Sequence, residues 1–553
     1  MVKAGSAVKM AAATLVVAGS MLAAGCGSSS SSNSKSSSGG GGELRMGTLD
    51  QFMNPNPFNV FHVIDYSVMM LEYPYLVQYD TSGKVVPDFA TSWSHTADGK
   101  SWTFHLVPNA KWSDGQPMTS ADVAWTLNTI IKYQNGAAAV LRENVSNMTS
   151  ASAPDPATVI LHYKVPTATV LSFMNNTEIL PEHVWASHAG GKGGANLKSF
   201  KNSFPDVAGG PFIPEQWNGS TFLVLKRNPN YYGPKPGVAQ VGIQYYTTPD
   251  SLLQGLKTNQ IDYANGIPQS NAALVRSYGL AVNEYKAVNY LALYLNAAPK
   301  APHPELASPL VRQAIDTAID RARIVSVAYP GSQPGESIVP PAISDYWDPK
   351  VTPVYDPAKA NKLLDQAGFK MGAGGVRMAN GHPMQYTVIF DNVQLAGAGD
   401  RAFQIIQQNL KAIGISVTQK SLDPNAWLAA DYGSNNSYNT FDMGLETNAA
   451  LLDPGFNLLY FSCTDLGSYN WSGFCNKQYE GLYKKQSQII DPTQRKPVVD
   501  QLQELSQKLV PAAIILYTQT VDAHQKGWTG FGANPNGSIN YFSKLTFTSI
   551  HKG

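Results

Sequence analysis

Cysteine is nearly missing from this chain: three residues in 553. So few thiols exclude a dense disulfide framework and a multi-cysteine zinc site. Charge is scarce too, with Asp, Glu, Lys and Arg at 14% of residues, against ~25% in ordinary soluble domains. The 40 basic and 39 acidic residues leave a net charge of +1. No basic stripe points to nucleic acid, and no acidic tail points to a basic partner. After the first residues no apolar run approaches the ~20 residues that span a bilayer. The ten histidines are scattered along the sequence, so no metal site is expected from them. Neither a G-x-S-x-G elbow nor an H-E-x-x-H helix is present. S-x-x-K occurs only at Ser6/Lys9, Ser32/Lys35 and Ser549/Lys552, in segments where no active site can be built. The glycine cluster "GAGGVRMANG" follows a helix ending and not a strand, which argues against a phosphate-binding loop. An enzyme is not expected.

Against these absences Cys26 stands out. Lys3 and Lys9 precede an apolar run over residues 10–24, too short for a spanning helix and suited to a signal-peptide core. Leu22-Ala23-Ala24-Gly25-Cys26 resembles a bacterial lipobox, with Ala23 standing where a large aliphatic residue is usual. The expected leader is 1–25, with Cys26 as the lipid attachment point. Residues 26–42 then form a Ser/Gly-rich tether that stays a coil, because it has too little apolar surface to offset its ordering entropy. The alternative is a plainly cleaved signal with an incidental cysteine. Either way the body is extracytoplasmic; with the lipid it is anchored to the bacterial cell membrane, on the periplasmic or outer face.

The other two cysteines, Cys463 and Cys475, bracket "CTDLGSYNWSGFC". A disulfide is the natural reading in an oxidising compartment, with two buried free thiols as the alternative. Elsewhere the sequence mixes strand and helix signals without a repeat. Trp102, Phe104 and Leu106 alternate with polar residues after the turn Asp98-Gly99, as a half-buried strand requires. Thr119 and Asp122 form a capping-box variant before the apolar positions Val123, Leu127, Ile130 and Ile131. Val311, Ala314, Ile315, Ala318 and Ile319 predict one continuous amphipathic helix face. Asp356, Pro357 and Gly368 mark the cap, first turn and stop of another helix. "RAFQIIQQNLKAIGISV" predicts a helix ended by Gly414 and a strand from Ile415. The class is α/β or α+β with more than one lobe.

Six segments, in order, carry a resemblance: "FATSWSHTADGKSWTFHL", "KWSDGQPMTSADVAWTL", "ILPEHVW", "GGPFIPEQWNGSTFLVLKRNPNYY", "SPLVRQAIDTAIDRARIV" and "YDPAKANKLLDQAGF". Together they are similar to extracytoplasmic solute-binding proteins of dipeptide/oligopeptide-type ABC importers, bacterial solute-binding protein family 5. The resemblance implies an α/β, two-lobed periplasmic-binding-protein fold with a hinged cleft and an extra subdomain. It places the core of lobe I at 43–81, 204–290 and 516–553, its additional subdomain at 82–203, and lobe II at 291–515. It makes Trp93, Trp102 and Trp112 packing residues. It implies a monomer without a cofactor that captures a peptide or other small polar solute, closes on it, and delivers it to an ABC permease and ATPase complex. Oligosaccharide or another non-peptide solute, and a surface receptor or chaperone role, are the alternatives. Nickel is the least attractive, for want of clustered histidines.

The ligand anchor departs from the family. Peptide-binding members carry an aspartate shortly before an acidic-Pro pair; here Asp453-Pro454 supplies the pair, but the family spacing reaches Ala450, which cannot hold an ammonium group. Glu446 is the nearest upstream carboxylate. Thr447, Asn448, Tyr66 and Trp427 are its candidate neighbours, and the cysteine-bracketed loop adds Tyr469, Asn470 and Trp471. If Glu446 faces solvent, oligosaccharide becomes the better expectation. The leader generates a direct prediction: Cys26→Ser leaves the fold intact and moves the protein from membranes to the soluble fraction. Cell fractionation checks it, and unchanged membrane association refutes the tether.

Overall fold

Two strands, Ala281–Leu295 and Ala512–His524, run through both halves of the molecule. They pair antiparallel, from Ala281 opposite His524 to Tyr294 opposite Ala512. The computed structural model describes residues 41–553 apart from 61–62, 392–394, 396, 424–425, 428, 431–436, 449–450 and 533–542. Cys26, the leader, all but the end of the tether and Ala450 lie outside the described residues. The pairing skips between Lys286 and Tyr290: residues 287–289 stand opposite Thr518 alone, a bulge that breaks the ladder and bends it.

Each side of that bulge has its own strands within one eleven-stranded sheet. Beyond His524 lie Tyr263–Ile267, Glu43–Thr48, Gln240–Tyr245, Phe222–Arg227 and Phe212–Asn218. Beyond Leu295 lie Met443–Asn448, Gln385–Asp391 and Ser416–Leu422, parallel to one another. The two-residue period of "YLALYL" at 290–295 sorts side chains by face. Leu291, Leu293 and Leu295 enter a core with helices Pro309–Ala318, Pro357–Gln366 and Ala398–Ala412. Tyr290, Ala292 and Tyr294 enter a second core with helices Lys477–Ser487 and Pro492–Leu509. A separate four-stranded sheet, Ala90–His95, Ser101–Leu106, Thr158–Tyr163 and Met148–Asp155, packs on helix Ser120–Tyr133. Trp102 and Trp112 are buried in that core, and Trp93 packs at its border.

Local signals place most of these elements. Thr119 and Asp122 form the capping box. Asp356 accepts the Lys359 N–H at 2.8 Å. Gly368 closes that helix at φ +83°, and the Phe369 N–H reaches the Leu364 carbonyl at 3.0 Å, the wrap that a left-handed residue permits. The expected continuous face of Val311, Ala314, Ile315, Ala318 and Ile319 is corrected at its end: the helix stops at Ala318, the chain turns at Ile319, and a second helix runs Arg321–Ala328. The Asp320 carboxylate accepts the Arg323 N–H at 2.9 Å and caps a new helix, while the buried Arg321 turns back to Asp316 and to the Ile514 carbonyl. Helical periodicity had no way to register that competition.

Buried carboxyl groups make stability depend on pH. Asp522 accepts bonds from the Tyr263 hydroxyl at 2.7 Å, the Gly266 N–H at 3.1 Å and Asn265 at 3.2 Å, yet burial pushes it up to about 6. Burial pushes Glu178, which accepts the Tyr75 hydroxyl, up to about 7. A raised carboxyl holds a proton that the unfolded chain releases, so its contribution is full below the ordinary carboxyl range and is lost as pH rises through 6–7. Burial shifts His524 downward, with the opposite sign, but it is one group against the two carboxyls. The melting temperature is therefore expected to fall from about pH 5 to about pH 8, with Asp522→Asn flattening the decline; a rising midpoint over that interval overturns the assignment. Cys463 and Cys475 form a disulfide across a sequence separation of 12. Closing so short a loop in the unfolded chain is worth about 3 kcal/mol in the chain-entropy model. The Cys463→Ser/Cys475→Ser variant is expected to lose stability of that order in denaturant unfolding, and the denatured, unreduced Cys26→Ser protein to show no free thiol. Two titrating thiols in that protein end the proposal.

Candidate functional site

The strand Met443–Asn448 pairs with the tyrosine-bearing segment: Asn448 stands opposite Tyr290, Glu446 opposite Ala292, and Gly444 opposite Tyr294. Alternation therefore puts Glu446 and Asn448 on the tyrosine face. Thr447, opposite Leu291, lies on the other face and does not join them. Glu446 is 7% exposed; it faces the protein and not solvent. Burial, and then neighbouring groups that include Glu446, holds the Tyr290 and Tyr294 phenols well above their usual range.

An aromatic shell covers this face. Trp471 meets Tyr460 at 5.2 Å, Tyr294 at 5.5 Å and Trp427 at 5.8 Å, all edge to face. Tyr469 meets Phe456 at 5.4 Å and Tyr460 at 5.9 Å. Such tilted contacts suit ring quadrupoles and hold the rings in fixed orientations. Tyr469 and Trp471 ride on the disulfide-closed loop. Asn470 between them is fully buried and serves the loop itself: its amide donates to the Ser462 and Phe474 carbonyls at 2.8 and 2.7 Å and accepts from Ser472 at 3.2 Å. Phe456 and Tyr460 belong to the turn of helix Pro454–Leu459 and its C-cap. That helix is anchored by Asp453, which accepts the Gly455 N–H and pairs with Arg495 through two 2.7 Å contacts. The Asp-Pro pair is thus a positioning device.

Several polar groups on this face lack a hydrogen-bond partner, the Tyr290 and Tyr294 hydroxyls among them. Neither Oδ1 nor Nδ2 of Asn448, 1% exposed, has a hydrogen-bond partner, and neither does the buried Trp427 Nε1. Unsatisfied buried groups are rare in native proteins and each calls for an explanation. A bound solute with donors and acceptors supplies one.

The far wall comes from the other half. Tyr66, on helix Val63–Glu72, comes near enough to Tyr469 for the two phenols to influence one another. Arg142 lies 3.5 Å from Asp465, whose carboxylate also accepts the Tyr469 N–H at 2.7 Å. The Ala168 N–H donates to the Ser487 carbonyl at 2.8 Å. Leu451 is buried in the core of the four-stranded sheet, and Phe456 packs on that core and on the tyrosine-side core alike. The two halves are closed on one another around the aromatic face.

The structure thus brings Glu446, Asn448, Trp427, Tyr469, Trp471 and Tyr66 into one region, and gives Thr447 and Asn470 other surroundings. Sequence reasoning missed Tyr290, Tyr294, Phe456 and Tyr460. The signal for the first two was available, since two of the three same-face positions in 290–295 are tyrosine.

The model of bacterial extracellular solute-binding proteins, family 5 (middle), matches residues 84–470. A putative ABC transporter peptide-binding protein of Brucella ovis is 25% identical over 378 residues, 67% of this chain; the chain spans 66% of that relative's length. The glutathione-binding protein GsiB of Salmonella typhi is 24% identical over 500 residues, 89% of this chain and 92% of that protein. Among solved structures, the oligopeptide-binding protein AppA of Bacillus subtilis, in complex with a nonapeptide, superposes with a TM-score of 0.79 at 19% identity, over 93% of this chain and 99% of that one. Sheet, closed cleft and matched profile agree, and the chain belongs to the bacterial extracellular solute-binding proteins of family 5.

Proposed function

We propose that this protein is the substrate-binding component of an ABC importer, capturing peptide outside the membrane and delivering it to a permease driven by a separate ATPase. One observation carries the reading. A buried carboxylate, Glu446, lies on the same face as the unpartnered Asn448 amide and Trp427 Nε1, inside an aromatic shell closed by both halves. A peptide answers each demand. Its α-ammonium group pairs with Glu446, its backbone both donates to and accepts from the Asn448 amide, and its side chains lie on the rings of Tyr460, Tyr469 and Trp471. The ligands of the two relatives, peptide and glutathione, support the class.

The mechanism is capture by closure. Residues 43–81, 204–290 and 516–553 form lobe I with a subdomain at 82–203, and residues 291–515 form lobe II. The bulge at 287–289 is the hinge between them. No bond is made or broken, no cofactor is used, and the monomer is held at the membrane by lipid on Cys26. No helix among the described residues is long and apolar enough to cross a membrane.

Trp427 and Trp471 report on binding, so intrinsic fluorescence follows a peptide titration of the Cys26→Ser protein. Removing the partner of a charge buried by closure is strongly destabilising. Glu446→Gln is accordingly expected to weaken peptide binding more than tenfold, about 1.4 kcal/mol or more, with little change in melting temperature. N-acetylation of the peptide is expected to do the same to the unmutated protein. Equal affinity for free and acetylated peptide rules out the ammonium anchor, and chemical turnover of the peptide rules out the binding-protein reading.

A further inference from the structure

A second group of polar side chains sits apart from the aromatic face. His303 caps the turn Pro304–Ala307, which carries Glu305, and His382 lies on the strand His382–Pro383 of the glycine-rich hairpin. His303 Nδ1 is 3.2 Å from Glu305 Oε1, and His382 Nε2 is 3.7 Å from Glu305 Oε2. One ligand atom from each of the three residues lies within 4.8 Å of the others. The Glu305 side chain is 0% exposed, and its Oε2 has no hydrogen-bond partner. An orphaned carboxylate oxygen at full burial is costly and calls for a cation or a proton.

The surroundings are arranged as a second layer. The Tyr386 hydroxyl donates to Glu305 Oε1 at 3.0 Å, and burial with the Glu305 charge keeps that phenol protonated, hence a donor. His303 Nε2 faces Asp442 Oδ1 at 3.7 Å. Asp442 is itself oriented, because its Oδ2 accepts the Thr387 N–H at 2.8 Å. One imidazole nitrogen toward the centre and the other toward a fixed carboxylate is how metal-binding histidines are usually held.

We propose that His303, Glu305 and His382 bind a single divalent transition-metal ion of zinc-like chemistry, with Asp442 and Tyr386 orienting His303 and Glu305 from behind. Two imidazoles and one carboxylate suit zinc, nickel, copper or ferrous iron and do not suit calcium or magnesium, which prefer all-oxygen sets. Three protein ligands leave a position for water or an outside donor. Ligand atoms of a tetrahedral site with bonds of ~2.0–2.1 Å stand about 3.3 Å apart, so the present spread requires the side chains to draw in. His382, 39% exposed at the rim of a hairpin, is the group free to move and the route by which an ion enters. The site lies beyond the Met443 end of the strand Met443–Asn448, because Asp442 precedes that strand, whereas Asn448 pairs with Tyr290 beside the bulge. It is therefore distinct from the proposed peptide site.

The competing description is a plain histidine–glutamate ion pair network that takes protons and not metal. The full chain, carrying Cys26→Ser and no histidine tag, is stripped with EDTA and titrated with zinc chloride by calorimetry at neutral pH. One equivalent is expected to bind with micromolar or tighter affinity and to raise the melting temperature, since an ion that binds only the folded state stabilises it. His303→Ala/His382→Ala is expected to abolish binding and the thermal shift. His382→Gln, at an exposed position that does not threaten folding, is expected to weaken binding at least tenfold, and Asp442→Asn to do so about tenfold. Peptide affinity is expected to stay unchanged in all three variants, so this site fails or stands apart from the peptide reading. Absence of saturable zinc binding by the parent protein overturns the proposal, and so does undiminished one-equivalent binding by His382→Gln.

Discussion

The antiparallel pairing of Ala281–Leu295 with Ala512–His524 allows one chain to carry separate cores on either side of a single bend. Each end of the pair is fixed by different neighbours, Met443–Asn448 at one and Tyr263–Ile267 at the other. The widest interruption of the ladder lies between the two ends, at 287–289, with a smaller irregularity at Leu291/Ala292. In the proposed closure, rotation of one half against the other is absorbed where the ladder already breaks register, at residues 287–289 and Thr518. A solute shifts such an equilibrium only by the difference between its contacts in the two states. On the proposed reading, the groups on both sides of the bulge matter most, Tyr66 on one side and Glu446, Asn448 and Trp471 on the other.

Among the described residues, the polar contacts that hold the closed halves together are weak, and apolar packing that includes Ile490 and Tyr79 does more. Arg142 is 38% exposed and 3.5 Å from Asp465, and exposed ion pairs are worth only ~0–1 kcal/mol. The Ala168–Ser487 hydrogen bond adds about 1 kcal/mol. Against these, burial and the nearby Glu143 push Asp465 up to about 7. A carboxyl raised to that value is partly protonated near neutral pH, which weakens its pairing with Arg142 further. The small and partly cancelling polar terms leave the decision between open and closed to the solute and to the apolar bridge formed by Leu451 and Phe456.

Chemistry that acts over a few residues was legible in the sequence. The Thr119/Asp122 box, the Asp356–Gly368 helix, the alternation over Ser101–Leu106 and the family segments needed no long-range contact to be read. The break at Ile319 was not legible, because it depends on Arg321 reaching a carbonyl on a strand almost two hundred residues away. The same limit hid the histidine cluster: the glycine-rich segment dismissed as a phosphate loop is the hairpin that carries His382 to His303. Within the aromatic region, residue identity suggested Asn470 as a ligand contact, yet the tight loop gives its amide three partners of its own. Glu446 was legible as a carboxylate but not as a buried one, since "GLETNA" shows no alternation that fixes which face is covered.

Two of the unsatisfied places on this half of the molecule, at Asn448 and Glu305, make different demands. Asn448 offers a neutral donor and acceptor side by side, a match for directional groups on a solute. Glu305 offers a buried carboxylate with one oxygen outside any hydrogen bond, a match for a cation. They lie toward opposite ends of the strand Met443–Asn448, and that strand is held along its whole length by the ladder to Tyr290–Leu295. Coupling between two sites requires an element with two arrangements that both ligands bias. A strand paired in unbroken register has one arrangement, and the proposed hinge, the bulge at 287–289, lies beyond Asn448 and away from Asp442. An ion at His303, Glu305 and His382 would thus tie the hairpin to the base of the lobe and stiffen it, while the choice between open and closed stays with whatever Asn448 and Glu446 hold.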